Sequence, residues 1–310
     1  MLSVYQKEIA RRKIEDLEKV VSEMTLISIC KDERGYKKLL AKLRDAVINA
    51  WNDQRKAALN DCIRYLVDRG EDKFTKSDAK AIDQILTAKL GEDLVQVVDT
   101  DVRKLTAETL KLGKKEILAP LDIKLSFIVP DKEASKILAE QNLFWIQRHY
   151  GNKIKGKMNE ITDGYFNSDK TIKQVAEDFE KNFNQLTNQG EQYFYDLAEH
   201  QTNTVRELGK VNAMVEAEVE YYEIRAIVDD RTSDICLRLN GTTFPVQRAI
   251  EYRDNILSLS DPEDIKKASP WLTPEEVAAL PVNDDDLPAG LSMPLYHFRC
   301  RTTIVSVFKD

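Results

Sequence analysis

The sequence contains no run of 18 apolar residues, which excludes a membrane-spanning helix. Its opening, Met1-Leu2-Ser3-Val4-Tyr5-Gln6-Lys7-Glu8, lacks the basic segment followed by an apolar one that marks a secretory signal, so residence in a cytoplasm is expected. Cysteine is scarce: four residues (Cys30, Cys62, Cys236 and Cys300) in 310 do not make a disulfide scaffold. Cys30 and Cys62 sit among apolar residues at helical spacing and read as small buried hydrophobes. A basic excess is also missing. Lys and Arg number 46 against 53 Asp and Glu, a formal charge of −7, which argues against a dedicated nucleic-acid binder while leaving room for a local basic face. There is no Walker A segment, no glycine-rich dinucleotide fingerprint, no His-Glu-x-x-His and no Gly-x-Ser-x-Gly, so the usual enzyme signatures are absent.

Proline is unevenly spread, and that divides the chain. Only Pro120 and Pro130 precede residue 245, whereas seven prolines lie between Pro245 and Pro294. Because proline lacks an N–H and clashes with the preceding helical turn, the first ~220 residues can be largely helical and the last ~90 cannot. Apolar residues at helical spacing mark residues 3–29 (Ile14, Leu17, Val20, Val21, Met24) and 36–69 (Leu39, Leu40, Leu43, Val47, Trp51), with Gly70 as a helix end. Further helices are expected from Thr75, over roughly 92–117, over 132–158, from the capping box Thr171-Ile172-Lys173-Gln174, and after Gly190. Residues 121–129, between two prolines, read as a short strand or extended arm and as a hinge. Residues 219–228 and 302–308 are rich in β-branched and aromatic side chains and read as strands. The expected fold is mostly α with long N-terminal helices and a small α+β C-terminal module. Its regions are an N-terminal helical region 1–120, connecting helices 121–164 and a module 165–310.

The chemistry concentrates in two segments of the last third. Asp229-Asp230-Arg231-Thr232-Ser233-Asp234-Ile235-Cys236 is followed by Asn240-Gly241. Pro294-Leu295-Tyr296-His297-Phe298-Arg299-Cys300-Arg301 lies about 60 residues on. Cys236, His297 and Cys300 admit three readings. They can be zinc ligands, if the two segments meet and Asp229, Asp230 or Asp234 supplies a fourth group. They can be packed thiols beside a hydrogen-bonded imidazole, open to disulfide formation in an oxidising setting. Or they can be a catalytic Cys–His pair, which needs a lowered thiol pKa and an orienting partner. The Asp229–Ser233 run reads as a capped strand-to-helix turn whose short helix, 235–239, ends at Asn240-Gly241. Asn283-Asp284-Asp285-Asp286 lacks EF-hand spacing and reads as a solvated loop. His149 and His200 lie in helical stretches without a ligand partner four residues on. Arg148, Lys153, Lys155 and Lys157, near Trp145 and Tyr150, form a patch that can hold a phosphate backbone or simply face solvent.

Taken in order, these residues resemble a known family. A strand, Asp229-Asp230-Arg231-Thr232-Ser233-x-x-Cys236, Leu239-Asn240-Gly241-x-x-Phe244, a proline-rich insertion and Pro294-x-x-His297-Phe298-x-Cys300-Arg301-x-Thr303 look like the phage head morphogenesis family, the Mu F-like minor capsid domain. The likeness spans roughly residues 165–308 and includes the capped helix at Thr171-x-x-Gln174. The chain carries Ser233 and Thr302 where many relatives carry further cysteines, which removes two thiols that a metal cluster would use. It carries Glu199-His200-Gln201 where they carry Arg-Thr-Glu. The resemblance implies a minor virion protein without enzymatic activity. It would associate with portal and capsid proteins, as an oligomer within the virion or in few copies, and act in head assembly, genome packaging or delivery. It would reside in the host cytoplasm and then in the particle. Contact with double-stranded DNA is compatible with this role. The rival expectations are a Cys/His-dependent hydrolase or toxin-like effector, and a DNA-handling protein.

Overall fold

A computed structural model describes residues 4–70, 73–166, 171–187 and 190–308; within these, the side chains of 4–32, 148–153, 155, 166 and 262 lie outside the description. The protein is 74% helical, with a three-stranded antiparallel sheet near its C-terminal end, the fold class its sequence pattern indicates. The two N-terminal helical stretches are one helix, α1 (Val4–Arg69), of 66 residues. At 1.5 Å per residue it is about 100 Å long. Gly70 ends it at φ +81°, a backbone conformation that glycine adopts without steric penalty.

The following helices are α2 (Lys76–Thr87), α3 (Leu94–Leu118), α4 (Val129–Phe166), α5 (Ile172–Thr187) and α6 (Gly190–Glu216). Sequence-legible caps start two of them. Thr75 Oγ1 accepts from the Asp78 amide while Asp78 Oδ2 accepts from the Thr75 amide at 2.7 Å. Thr171 and Gln174 make the same reciprocal pair ahead of α5. Residues 123–128 belong to no strand; they link α3 and α4 without regular secondary structure.

One core is built from α1 to α6. Val47, Trp51, Ala58, Cys62 and Leu66 follow one stripe of α1 and meet Ile82, Leu86, Val98, Phe179 and Phe194. Trp51 is fully buried against Phe194, ring centres 5.1 Å apart. A β-carbon at Gly190 would fall 2.7 Å from the Trp51 indole nitrogen, so only glycine lets α6 begin there. The second core joins the C-terminal ends of α3 and α6 to the sheet and its helices, through Leu110, Leu208, Val211, Met214, Tyr222 and Phe244. Between the two cores the α3 and α6 backbones touch. A β-carbon on Gly113 would lie 2.0 Å from the Arg206 carbonyl oxygen, and one on Gly209 would lie 2.3 Å from that of Leu110.

Two buried polar networks cross this junction. Lys114 Nζ lies 2.8 Å from Asp131 and 2.7 Å from Glu216, joining α3, α4 and α6. Glu207 receives the Lys210 ammonium at 2.8 Å and the Ile304 amide at 2.9 Å, which fastens the last strand to α6.

The sheet order is β2–β1–β3, with β1 (Tyr221–Arg225) central, β2 (Thr243–Pro245) on one side and β3 (Thr303–Val307) on the other. Tyr222 pairs with Phe244 and Glu223 with Val305. The β1 strand is shorter than its β-rich run, because the chain is diverted after Arg225. The Ala226 amide donates to Asn240 Oδ1 at 2.8 Å and the Thr232 hydroxyl donates to the Ile227 carbonyl at 2.8 Å. Ile227 and Val228 are left exposed. The proline-rich part still holds α8 (Val246–Ser258), α9 (Pro262–Ala268) and α10 (Pro274–Ala278). In α9 and α10, proline stands in the first turn, where its missing N–H has no intrahelical partner to lose. Proline at these positions is compatible with a short helix.

Candidate functional site

The two motif segments meet beside the sheet. The first leaves β1 and turns at Asp229, whose side chain accepts from the Arg231 amide at 3.0 Å, while Thr232 Oγ1 accepts from the Asp229 amide at 2.8 Å. The sequence predicts a turn here from Asp and Ser side chains; Asp229 and Thr232 make it, while Ser233, at the N-cap of the following helix, makes no side-chain capping bond. The turn leads into α7 (Asp234–Leu239), which buries Ile235, Cys236 and Leu239. Gly241, at φ +83°, then turns the chain back to β2.

The second segment is held from several directions. Pro294, Leu295 and Tyr296 are buried. The Tyr222 hydroxyl donates to the Ser292 carbonyl at 2.6 Å, and the Tyr296 hydroxyl donates to that of Leu291 at 3.1 Å. Two arginines flanking Cys300 each grip a carboxylate with two hydrogen bonds. Arg299 reaches Asp196 on α6 at 2.7 and 2.9 Å, and Arg301 reaches Asp229 at 2.8 and 2.6 Å. The fork geometry of guanidinium fixes direction as well as distance. Arg301 holds the Asp229 carboxyl well below the usual carboxylate range.

These restraints bring Cys236, His297 and Cys300 together, with their ligand atoms all within 4.8 Å of one another. Cys236 Sγ is 3.2 Å from His297 Nε2 and 3.6 Å from Cys300 Sγ. His297 Nδ1 lies 2.7 Å from the Phe298 carbonyl oxygen. Since a carbonyl can only accept, Nδ1 carries the proton and Nε2 presents its lone pair to the thiols. Ser233 Oγ stands 2.9 Å from the same Nε2. Both thiols are buried and the imidazole is half-buried. The hydrogen bond from Cys300 brings the Cys236 thiol down to about 6 against its burial, with Ser233, Thr302 and the Arg301 charge assisting. The same contact, together with burial, pushes the Cys300 thiol up to about 12. The Cys300 contact first, then the Phe298 carbonyl, raises His297.

Chemically, this arrangement offers two soft sulfur donors and one imidazole nitrogen to a metal ion, or a pair of thiols close enough to be joined by oxidation. The expected carboxylate ligand is not among them. Within the described residues the cluster stops at three members; Asp229 is committed to Arg301, and Asp230 and Asp234 are exposed outside the group. Arg231 is also exposed, 3.7 Å from Asp229. Asp284 of the acidic run pairs with Arg238 at 2.9 Å, which ties that loop to α7.

The basic patch is not assembled from described side chains: Arg148, Lys153 and Lys155 lie outside them, as do Tyr150, His149 and Cys30, while Lys157 is exposed on α4. Cys62 is buried in the first core.

Sequence reasoning missed a cavity of about 470 Å³ beside the cluster, where α4, α6, α8 and the segment from Trp271 to Phe298 converge. His200 stands in its wall, edge-on to Trp271 and Phe298 at 5.5 Å each. The residue is partly exposed, yet its Nδ1 is sealed from solvent with no hydrogen-bond partner, and burial brings its pKa down to about 4. In the sequence, His200 stands out only as a histidine in a helical stretch without a ligand partner four residues on. Here Glu199 pairs with Arg44 at 2.7 Å and the Gln201 amide donates to the Asn142 carbonyl at 3.4 Å.

Among the described residues, no helix is long and apolar enough to cross a membrane. Compared with known proteins, the chain matches no family model, no curated protein and no solved structure.

Proposed function

We propose that this chain is a minor head protein of a tailed phage or prophage, which works with portal and capsid proteins in head assembly and in genome packaging or delivery. The observation that carries this reading is the closure of two distant segments into one unit, through Arg301 on Asp229 and His297 on Cys236. Those residues are the ones on which the family resemblance rests. The closure gives each of them a structural task in a small folded module attached to long helices. The 66-residue α1 suits such a role, since a long helix can lie along a neighbouring chain or ring. In this reading the protein is made in the host cytoplasm and ends in the virion, as an oligomer or in few copies, with double-stranded DNA as a neighbour.

One observation favours a second reading. The contact between Cys236 and the His297 lone pair is the geometry of a Cys/His-dependent hydrolase or effector. Burial of both thiols weighs against it, because a nucleophile must reach its substrate. The experiment is deletion of the gene from an inducible phage or prophage, followed by electron microscopy and virion proteomics. The proposal expects the protein in wild-type particles, and defective or unfilled heads without it. Particles that lack the protein and assemble normally after deletion would refute it.

A further inference from the structure

The Cys236–His297–Cys300 cluster carries an inference that stands independently of any role in a virion. We infer that it is a zinc site, in which two thiolates and one imidazole clamp α7 to the segment leading into β3.

The first argument is distance. Zinc bonds of about 2.3 Å to sulfur and about 2.0–2.1 Å to nitrogen, arranged tetrahedrally, place two sulfurs roughly 3.8 Å apart and a sulfur and nitrogen roughly 3.6 Å apart. The cluster has 3.6 Å between sulfurs and 3.2 Å between Cys236 Sγ and His297 Nε2. An ion entering the centre therefore has to part Cys236 from each of its two neighbours by only a few tenths of an ångström, and all three ligand atoms already lie within 4.8 Å of one another.

The second argument is orientation. A metal-bound histidine characteristically donates its remote ring N–H to a carbonyl or carboxylate, which fixes the tautomer and aims the free nitrogen at the ion. His297 does this, with Nδ1 donating to the Phe298 carbonyl at 2.7 Å. The supporting frame is also rigid where the ligands need it. Arg299 on Asp196 and Arg301 on Asp229 hold both sides of Cys300, and α7 buries Cys236.

The third argument is the donor set. Two sulfurs and an imidazole select zinc over magnesium or calcium, which take oxygen ligands. The fourth position falls on the side of Ser233, whose Oγ lies 2.9 Å from His297 Nε2. That hydroxyl, or a water bonded to it, completes the tetrahedron. Binding converts the two thiols to thiolates and releases their protons to solvent. No electron transfer is involved, so no oxidant is needed.

The test uses the full chain, purified under reducing conditions without chelator and desalted. Elemental analysis should find about one zinc per chain, and C236S and H297A should each lose most of it. Because either variant could fold poorly, the decisive measurement uses the wild-type chain. Metal is removed with a chelator, the thiols are kept reduced, and Co²⁺ is titrated in. A saturable absorption band from thiolate-to-cobalt charge transfer, ending near one equivalent and abolished by one equivalent of Zn²⁺, is the expected result. Three outcomes would overturn the inference: no band, zinc retained in the C236S/C300S double variant, or a native mass two hydrogens short that reports a Cys236–Cys300 disulfide.

Discussion

Replacing Glu207 by leucine should unfasten the C-terminal strand from α6. Glu207 is 3% exposed and accepts from the Lys210 ammonium at 2.8 Å, the Thr303 hydroxyl at 2.9 Å and the Ile304 amide at 2.9 Å. Lys210 is itself buried and also donates to Thr303. Leucine has a similar volume, so packing changes little and the loss is electrostatic. Removing one member of a buried, hydrogen-bonded charge pair destabilises by about 3–5 kcal/mol, largely because the remaining charge stays desolvated. The Ile304 amide loses its acceptor as well, and a buried orphan of that kind costs about 1–3 kcal/mol. Lys210 keeps a second partner in Glu116 at 3.3 Å, which offsets part of the loss. The net expectation is about 4 kcal/mol. Urea unfolding followed by far-ultraviolet circular dichroism would measure it, as a lowered midpoint at constant slope. Removing both charges in E207L/K210M should recover at least ~1 kcal/mol relative to the sum of the single variants. A loss below ~1 kcal/mol for E207L, or strict additivity in the double variant, would refute this account of how β3 is anchored.

Three further outcomes follow from the geometry. G113A and G209A should each destabilise by about 3 kcal/mol in the same unfolding assay, because the new methyl group meets backbone and not a movable side chain. His200, held down to about 4 by burial against about 6.5 when unfolded, is neutral in the folded protein. Its contribution is therefore complete above pH 6.5 and fades as pH falls towards 4, where the unfolded chain binds the proton more readily. H200F should remove up to about 3 kcal/mol of that pH dependence, and parallel stability–pH curves for the two proteins would contradict the assignment. R301Q should speed amide hydrogen exchange across residues 229–233 while leaving α3 and α6 protected, since Arg301 is the residue that grips the turn through Asp229.

The helices were legible because their signals are local. The stripe from Val47 to Leu66 and the hydroxyl–acceptor pairs at Thr75 and Thr171 each involve residues within a turn or two of one another. The rendezvous of Cys236 with His297 and Cys300 was inferable only on the condition that two strands were neighbours, and β1 and β3 do pair. What the sequence concealed depends on contacts across long separations. Asp229 was one of three carboxylates that could have supplied a fourth ligand, but Arg301, 72 residues away, occupies it. Glu207 and Lys114 carry no local signal in a charge-rich chain, and each is buried by elements that meet only in three dimensions. The cavity beside His200 draws its walls from residues spread between Leu138 and Phe298, and no single segment announces it.

The most direct test of the proposed virion role is sedimentation of the purified full chain with a portal ring assembled from a portal protein of the phage or prophage that carries its gene. The account predicts that the protein moves into the fast-sedimenting ring fraction at a defined ratio and that an excess of unlabelled chain displaces it. A protein that stays at its own sedimentation rate at every ring concentration, under the salt and temperature at which heads assemble, would contradict it.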